Sequence, residues 1–130
     1  MNSPLYFPLV GAAGTTQSDA RDYDKRWLIA DEEGNWLSVD QCPTLSTITV
    51  ELKLGYLVLR APGMLRMDIP LDVIEDDDSV RFTVKLGAAQ SVDVVDEGEL
   101  AAAWLSNVTG KTCGLMKVHP DAGPVQWPGN

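Results

Sequence analysis

Cysteine is nearly absent from this 130-residue chain, which holds Cys42 and Cys113 and no other. Neither has a second cysteine or a histidine at zinc-ligand spacing, and two are too few for a disulfide scaffold, so two partly buried free thiols are expected. Histidine is scarcer still. The single one, His119, stands in HPDAGP, a turn-like tail, without the neighbouring nucleophile and orienting group of a catalytic set. Bases are also few: ten Lys and Arg face nineteen Asp and Glu, a formal net charge of -9. That balance repels phosphate backbones and anionic lipid, so no nucleic acid and no membrane surface is expected as the main partner, and only a local basic patch is left for a small anion. No apolar run approaches the roughly 20 residues that span a bilayer, and the opening MNSPLYFPLVGAAG lacks the basic region of a secretory signal, so the cytoplasm is the expected compartment.

What remains is a chain of ordinary globular composition, long enough for one core and too short for two. Short runs of branched and aromatic residues separated by turn residues dominate it. PLYFPLV (4–10) reads as an edge or bulged strand, since Pro8 forbids one ladder hydrogen bond. GAAGTTQSDARDY follows as loop. RWLIAD and NWLSV flank EEG, where Gly34 can take the positive φ of a tight turn, which predicts a hairpin over 26–39. TLSTITVELK and GYLVLRAP form a second antiparallel pair broken at Gly55. MLRMDIPL alternates Leu65, Met67 and Ile69 with charged residues, which predicts a strand with those three on a buried face. SVRFTVKL, with Val80, Phe82, Val84 and Leu86 on one face, pairs with QSVDVV in a third hairpin.

The helical signal lies in DEGELAAAWLSNVTG, residues 96–110. Asp96 and Glu99 outline a capping box, Leu100, Trp104 and Val108 recur on one face beside Ala101 and Leu105, and Gly110 supplies the stop. TCGLMKV (112–118) is the last strand, and the tail 119–130, rich in Pro and Gly, is irregular. About eight short strands and one late helix give a mainly β fold: an antiparallel β-barrel or strongly curled sheet, with the α-helix in the C-terminal half covering one opening. Residues 1–118 form a single domain.

Two charged stretches stand out. The acidic run Glu75-Asp76-Asp77-Asp78, with Asp72 before it, is contiguous and lacks the spacing that curls oxygens around calcium, so it reads as a solvated loop and no metal is assigned. Lys25-Arg26 precedes Trp27. If they sit in a strand, at most one of them looks into a given cavity; the expected role is a cation covering the aromatic ring or pairing with Asp22 or Asp24, weighed against an anion site.

Taken together, YDKRWLIADEEGNWLSVDQCPTL, LVLRAPGMLRMDIPL and EGELAAAWLSNVTGKTCGLMKV resemble the N-terminal β-barrel domain that precedes the MOSC (molybdenum cofactor sulfurase C-terminal) domain. The match covers residues 4–118. It implies a barrel-like accessory domain, here without the catalytic MOSC domain, and it implies that Cys113 matches a cysteine common inside the barrel rather than the catalytic one. In relatives that bind molybdenum, the Lys-Ser of an early Tyr-Pro-Val-Lys-Ser motif and the Arg of Asp-Arg-x-Trp help to hold the cofactor's anionic parts.

The departures fall on those positions. Phe7-Pro8-Leu9-Val10-Gly11 puts Val10 and Gly11 where the Lys and Ser would be. Lys25 stands for the Arg, keeping the charge and losing the bidentate fork. A later Thr-x-Arg becomes Ser38-Val39-Asp40, so a carboxylate replaces a cation. The resemblance therefore implies a non-catalytic module that binds a protein partner, such as a separate MOSC-type protein, or a small ligand. The candidate ligand-binding residues are Val10, Gly11, Lys25 and Ser38, with no catalytic residue, and no cofactor is expected, the molybdenum-pterin cofactor being disfavoured. The alternative is a reduced molybdenum-cofactor-binding or sulfur-carrier protein with a residual enzymatic role, which needs an accessible thiolate at Cys42 or Cys113.

Overall fold

The computed structural model describes residues 5–71, 81–86 and 90–119, so the acidic run 75–78 with Asp72, Val80, residues 87–89 and the tail beyond His119 lie outside the described residues. Among the described residues there are seven strands and one α-helix. Strands β1 (Trp27–Asp31), β5 (Arg81–Lys85), β6 (Ser91–Asp96) and β7 (Cys113–Val118) form an antiparallel sheet in the order β1-β7-β6-β5. Strands β2 (Thr49–Lys53), β3 (Tyr56–Arg60) and β4 (Met67–Pro70) form a second antiparallel sheet in that order. The fold is mainly β: a strongly curled, half-barrel antiparallel sheet with one helix in the C-terminal half.

The expected hairpin over 26–39 forms, but it is short: Asp31 N–H donates to Asn35 O at 2.9 Å and Leu37 N–H to Ile29 O at 2.8 Å. Its first arm is β1, but the full-length neighbour of β1 is β7, in register from Trp27↔Lys117 to Asp31↔Cys113. The second arm is used to close the curl. Trp36 bridges Ala30 on β1 while Asn35 bridges Lys85 on β5, and Lys85 exchanges hydrogen bonds with Gly34 and Trp36 at 2.8 and 2.9 Å. Gly34 does turn with φ +81°. A hairpin pattern shows that a strand turns back; it does not show which edge the returning arm meets, and here one short stave joins both edges of the sheet.

Curling buries both faces of β1 and β7, which is why WLIA and CGLMKV read as nearly continuous apolar runs. Trp27, Ile29, Cys113 and Leu115 face a core shared with the second sheet and the helix. Leu28, Ala30, Met116 and Val118 face the inside of the curl with Val84, Leu86, Val92 and Val94. Trp27 is fixed from three sides: its indole N–H donates to Glu97 Oε2 at 2.9 Å, Tyr23 stacks on it at 6.0 Å, and Lys117 Nζ lies 5.3 Å from its ring centre. The cation covering Trp27 is therefore Lys117, not Lys25 or Arg26. Lys117 comes from the paired strand, at a distance in sequence that local reading does not reach.

Of the expected strand over 4–10, the described residues 5–10 form isolated bridges rather than a continuous strand. Tyr6 bridges Thr15, and Leu9 bridges Trp27 in parallel, with Val10 N–H donating to Trp27 O at 2.9 Å. Pro8 between them carries no N–H, so a continuous ladder is interrupted. Within the expected loop, Ser18–Tyr23 form a 3-10 turn, and another, Pro43–Thr47, takes the start of the expected second strand. The β2-β3 hairpin holds as expected, turning at Leu54 (φ +53°) and Gly55 (φ +84°). On β4 Ile69 is buried and Met67 half-buried, whereas Leu65 lies before the strand and is 87% exposed.

The helix α1 runs from Glu99 to Thr109 and ends at Gly110 in the left-handed conformation. Its N-cap is Gly98, not Asp96, because Asp96 is still paired in β6 with Met116; the Asp96 carboxylate instead accepts from Gly98 N–H at 2.8 Å. The buried face is Ala101, Trp104 and Leu105, with Val108 half-buried, while Leu100 is 81% exposed. The helix lies close on β7: a Cβ at Gly114 would stand 3.7 Å from the Ala102 Cβ. Ser106 Oγ clips the two together through both backbone groups of Cys113, each at 3.2 Å.

Candidate functional site

Three segments meet beside the curl and leave a cleft of about 590 Å³ between them. The N-terminal segment contributes Leu5, Phe7 and Val10 to Ala12, the turn before β1 contributes Asp24 and Lys25, and the closing stave contributes Trp36 and Ser38 to Asp40. That volume is in the range of sites for small molecules. All four residues read from the sequence, Val10, Gly11, Lys25 and Ser38, border this one cleft. Arg26 does not border it.

Each is held there for a different reason. Lys25 is not in a strand, since β1 starts at Trp27, so the alternation argument does not apply to it. It sits in a turn with φ +57°, a conformation that is unfavourable for a side chain with a Cβ. Two hydrogen bonds strap that turn to the N-terminal segment: Lys25 N–H donates to Phe7 O at 2.8 Å, and Phe7 N–H donates to Asp24 Oδ1 at 2.7 Å. The side chain is half-buried and makes no ion pair among the described residues, Asp22 and Asp24 included.

Gly11 turns the chain with φ +97°, and a Cβ there would come 3.1 Å from Leu45 Cδ1. Its presence is explained by backbone conformation. Val10 is 6% exposed and packs into the inside of the curl, so only its edge reaches the cleft. Ser38 uses its polar atoms on its own turn: Ser38 N–H donates to Gln41 Oε1 at 3.1 Å, and Gln41 N–H donates to Ser38 Oγ at 3.3 Å. Of the four, Lys25 alone presents a charged group not already committed.

Leu5, Phe7, Asp24, Trp36 and Asp40 also line the cleft and were not read from the sequence as site residues. Asp40 was noted only as a sign change. Nothing in local spacing brings 5–7, 24 and 36–40 together; the Phe7 hydrogen bonds to Asp24 and Lys25 join the first two, and the bridges Leu9↔Trp27 and Ala30↔Trp36 set the first and last beside β1. A Cβ at Gly14 would stand 2.6 Å from Leu5 Cγ and 2.9 Å from Phe7 Cε1, so Gly14 lets this wall lie flat.

The cleft carries one cation and two carboxylates, Lys25 against Asp24 and Asp40, with apolar walls. A polyanionic group would meet net repulsion there, and Val10 offers hydrocarbon where a second cation would be needed. This donor set does not fit the molybdenum-pterin cofactor. Among the described residues, no cluster of three or more His, Cys, Asp and Glu side chains is placed to hold a metal ion.

The two thiols lie elsewhere, and both are buried, more than the partly buried thiols expected. Cys113 Sγ is 3.4 Å from Thr109 Oγ1, and Cys42 Sγ contacts Thr109 O at 4.0 Å and Thr44 Oγ1 at 3.5 Å. Burial pushes the Cys113 thiol above its ordinary value, against two hydrogen bonds that lower it. That environment disfavours the thiolate a sulfur carrier needs. No described helix is long and apolar enough to cross a membrane.

A curled antiparallel barrel with one helix clipped to its last strand, and a side cleft walled by the N-terminal segment, defines a small β-barrel domain with a lateral pocket. Comparison with known proteins makes the class specific. The family model for the MOSC N-terminal beta barrel domain matches residues 9–112, and the chain belongs to that family. It is 33% identical over 101 residues to the molybdenum cofactor sulfurase of Danio rerio and 31% over 97 residues to that of Homo sapiens. Those matches take in 76% and 73% of this chain but only 12% and 11% of the relatives' own lengths. Mitochondrial amidoxime-reducing component 1 of Xenopus laevis is 28% identical over 76% of this chain and 28% of its own. A solution structure of a Bordetella bronchiseptica protein is 59% identical, with a TM-score of 0.84 over 99% of this chain and 98% of that one.

Proposed function

We propose that this MOSC N-terminal barrel domain is a non-catalytic binding module, acting in connection with molybdenum-cofactor proteins, and that the cleft beside Lys25 is its small-ligand site. One observation carries the reading. Three separate segments, which include every position where the sequence departs from the family's anion-holding motifs, border a single cleft of about 590 Å³ with an uncommitted lysine in it. The Ser38 hydroxyl is engaged with Gln41, and one Asp24 oxygen with Phe7 N–H. The link to molybdenum-cofactor proteins rests on the names of the relatives, of which this chain spans about a tenth to a quarter.

The test is an amide-resolved NMR screen of the isotope-labelled protein with a panel of small aromatic and aliphatic carboxylates, amines and phosphates. At least one class shifts the amides of Phe7, Val10 to Ala12, Lys25 and Ser38 to Asp40 saturably. If every class leaves them unmoved, the cleft is not a ligand site.

A further inference from the structure

We propose that the ligand of this cleft is an amphipathic monocarboxylate, with one carboxylate set against Lys25 and a flat apolar body lying on Phe7, Leu5 and Val39. The inference rests on the cleft being a ligand site and adds the ligand's chemical class.

The argument begins with Lys25. Its backbone is tied by the Phe7 and Asp24 hydrogen bonds into a φ of +57°, so the side chain leaves the turn from a fixed base. It is half-buried and has no ion-pair partner among the described residues. Its ammonium attracts an incoming anion most strongly where the body of that ligand keeps water from the contact. As a compact point charge it suits an anion held at one point, whereas a two-point grip on a carboxylate or a phosphate belongs to arginine, and the choice between those two anions falls to charge.

The acids set the limit on charge. Asp24 and Asp40 are exposed, so solvent and salt screen them more than they screen Lys25. One negative charge seated at Lys25 is tolerated. A second on the same ligand falls within reach of two rim carboxylates with no further cation to offset it.

The walls supply the remainder. Leu5 and Val39 are 53% and 39% exposed, and both border the cleft beside the half-buried Phe7. Apolar side chains left open on the two sides of one cavity are removed from water by a flat hydrocarbon placed between them. A carboxylate without such a body would leave that surface exposed.

The experiment titrates the labelled protein with indole-3-acetate, with tryptamine, which keeps the ring and reverses the charge, and with inorganic pyrophosphate. Indole-3-acetate shifts the Phe7, Lys25 and Val39 amides saturably, while the other two leave them in place. Lys25→Gln weakens indole-3-acetate about tenfold or more, as expected for loss of a charged contact, and Lys25→Arg stays within about threefold of wild type. Amides away from the cleft report that each variant is folded. Tryptamine or pyrophosphate binding there as well as indole-3-acetate overturns the ligand class and keeps the cleft as a site. Equal affinity in Lys25→Gln also overturns it. If none of the three moves the cleft amides the inference falls, and silence from the wider panel as well takes the ligand-site reading with it.

Discussion

Gln17 pairs with Leu52 as a neighbouring strand would: its Oε1 accepts from Leu52 N–H at 2.7 Å and its Nε2 donates to Leu52 O at 3.0 Å. A single side chain thereby satisfies both backbone groups on the open edge of β2, and it ties the start of the 3-10 turn at Ser18–Tyr23 to the second sheet. Gln17→Leu removes both partners. The expected loss is about 1–3 kcal/mol, the cost of leaving part-buried backbone groups unpaired, read as a lower urea midpoint with an unchanged slope.

Gly14 controls the wall of the cleft. Any side chain there meets Leu5 Cγ and Phe7 Cε1 below 3.0 Å, so the N-terminal segment must move away. Gly14→Val costs about 1–3 kcal/mol in urea unfolding, as overpacked sites do, and the amide shifts concentrate at Leu5 to Phe7 and Thr15.

Lys25 sets ligand affinity against stability. Its left-handed backbone costs about 1–2 kcal/mol relative to a favourable one, and glycine is free of that penalty while adding chain entropy of about 0.5–1 kcal/mol. Lys25→Gly is expected to unfold at slightly higher temperature than wild type, by about 0.5–1 kcal/mol at the midpoint, and to lose binding of indole-3-acetate. A clear loss of stability instead would mean that the side chain is needed for the fold.

Cys113 adds a pH dependence whose sign follows from its burial. Its thiol titrates at 9.0 in the unfolded reference and higher in the folded chain. Below that value both states keep the proton, and the contribution is constant. As pH rises past it the unfolded chain loses its proton first, so the folded state is progressively destabilised through and beyond that pH. Urea midpoints measured from pH 7 to 10.5 should fall less in Cys113→Ala than in wild type across the upper part of the range. The same burial predicts that iodoacetamide alkylates Cys42 and Cys113 more slowly in the native protein than in urea.

Much of this fold is written in local pattern. Short runs of branched residues mark β2, β3 and β6, and Gly34, Gly55 and Gly110 fall at positive φ where turns and a helix stop are expected. Local pattern does not say which strands pair. The stave at 34–37 reads as a hairpin arm, yet it joins β1 to β5, and β1 finds β7 some ninety residues along the chain. Of the apolar face expected for the helix, Ala101, Trp104 and Leu105 are buried while Leu100 is exposed. For the cleft, the family resemblance pointed to Val10, Gly11, Lys25 and Ser38, and the structure places them around one cavity. Their individual roles were not legible. That Gly11 serves the backbone, Val10 the barrel interior and Ser38 its own turn depends on contacts that exist only after folding.

The central proposal is that this cleft does not take a polyanionic cofactor. Its most direct test is an amide-resolved NMR titration of the labelled protein with released molybdenum-pterin cofactor. The charge balance of Lys25 against Asp24 and Asp40 predicts amides from Val10 to Gly14, and at Lys25 and Ser38, that stay in place at high cofactor concentration. Saturable shifts clustered at those positions would contradict it, and would make Lys25 the cation of a retained family site.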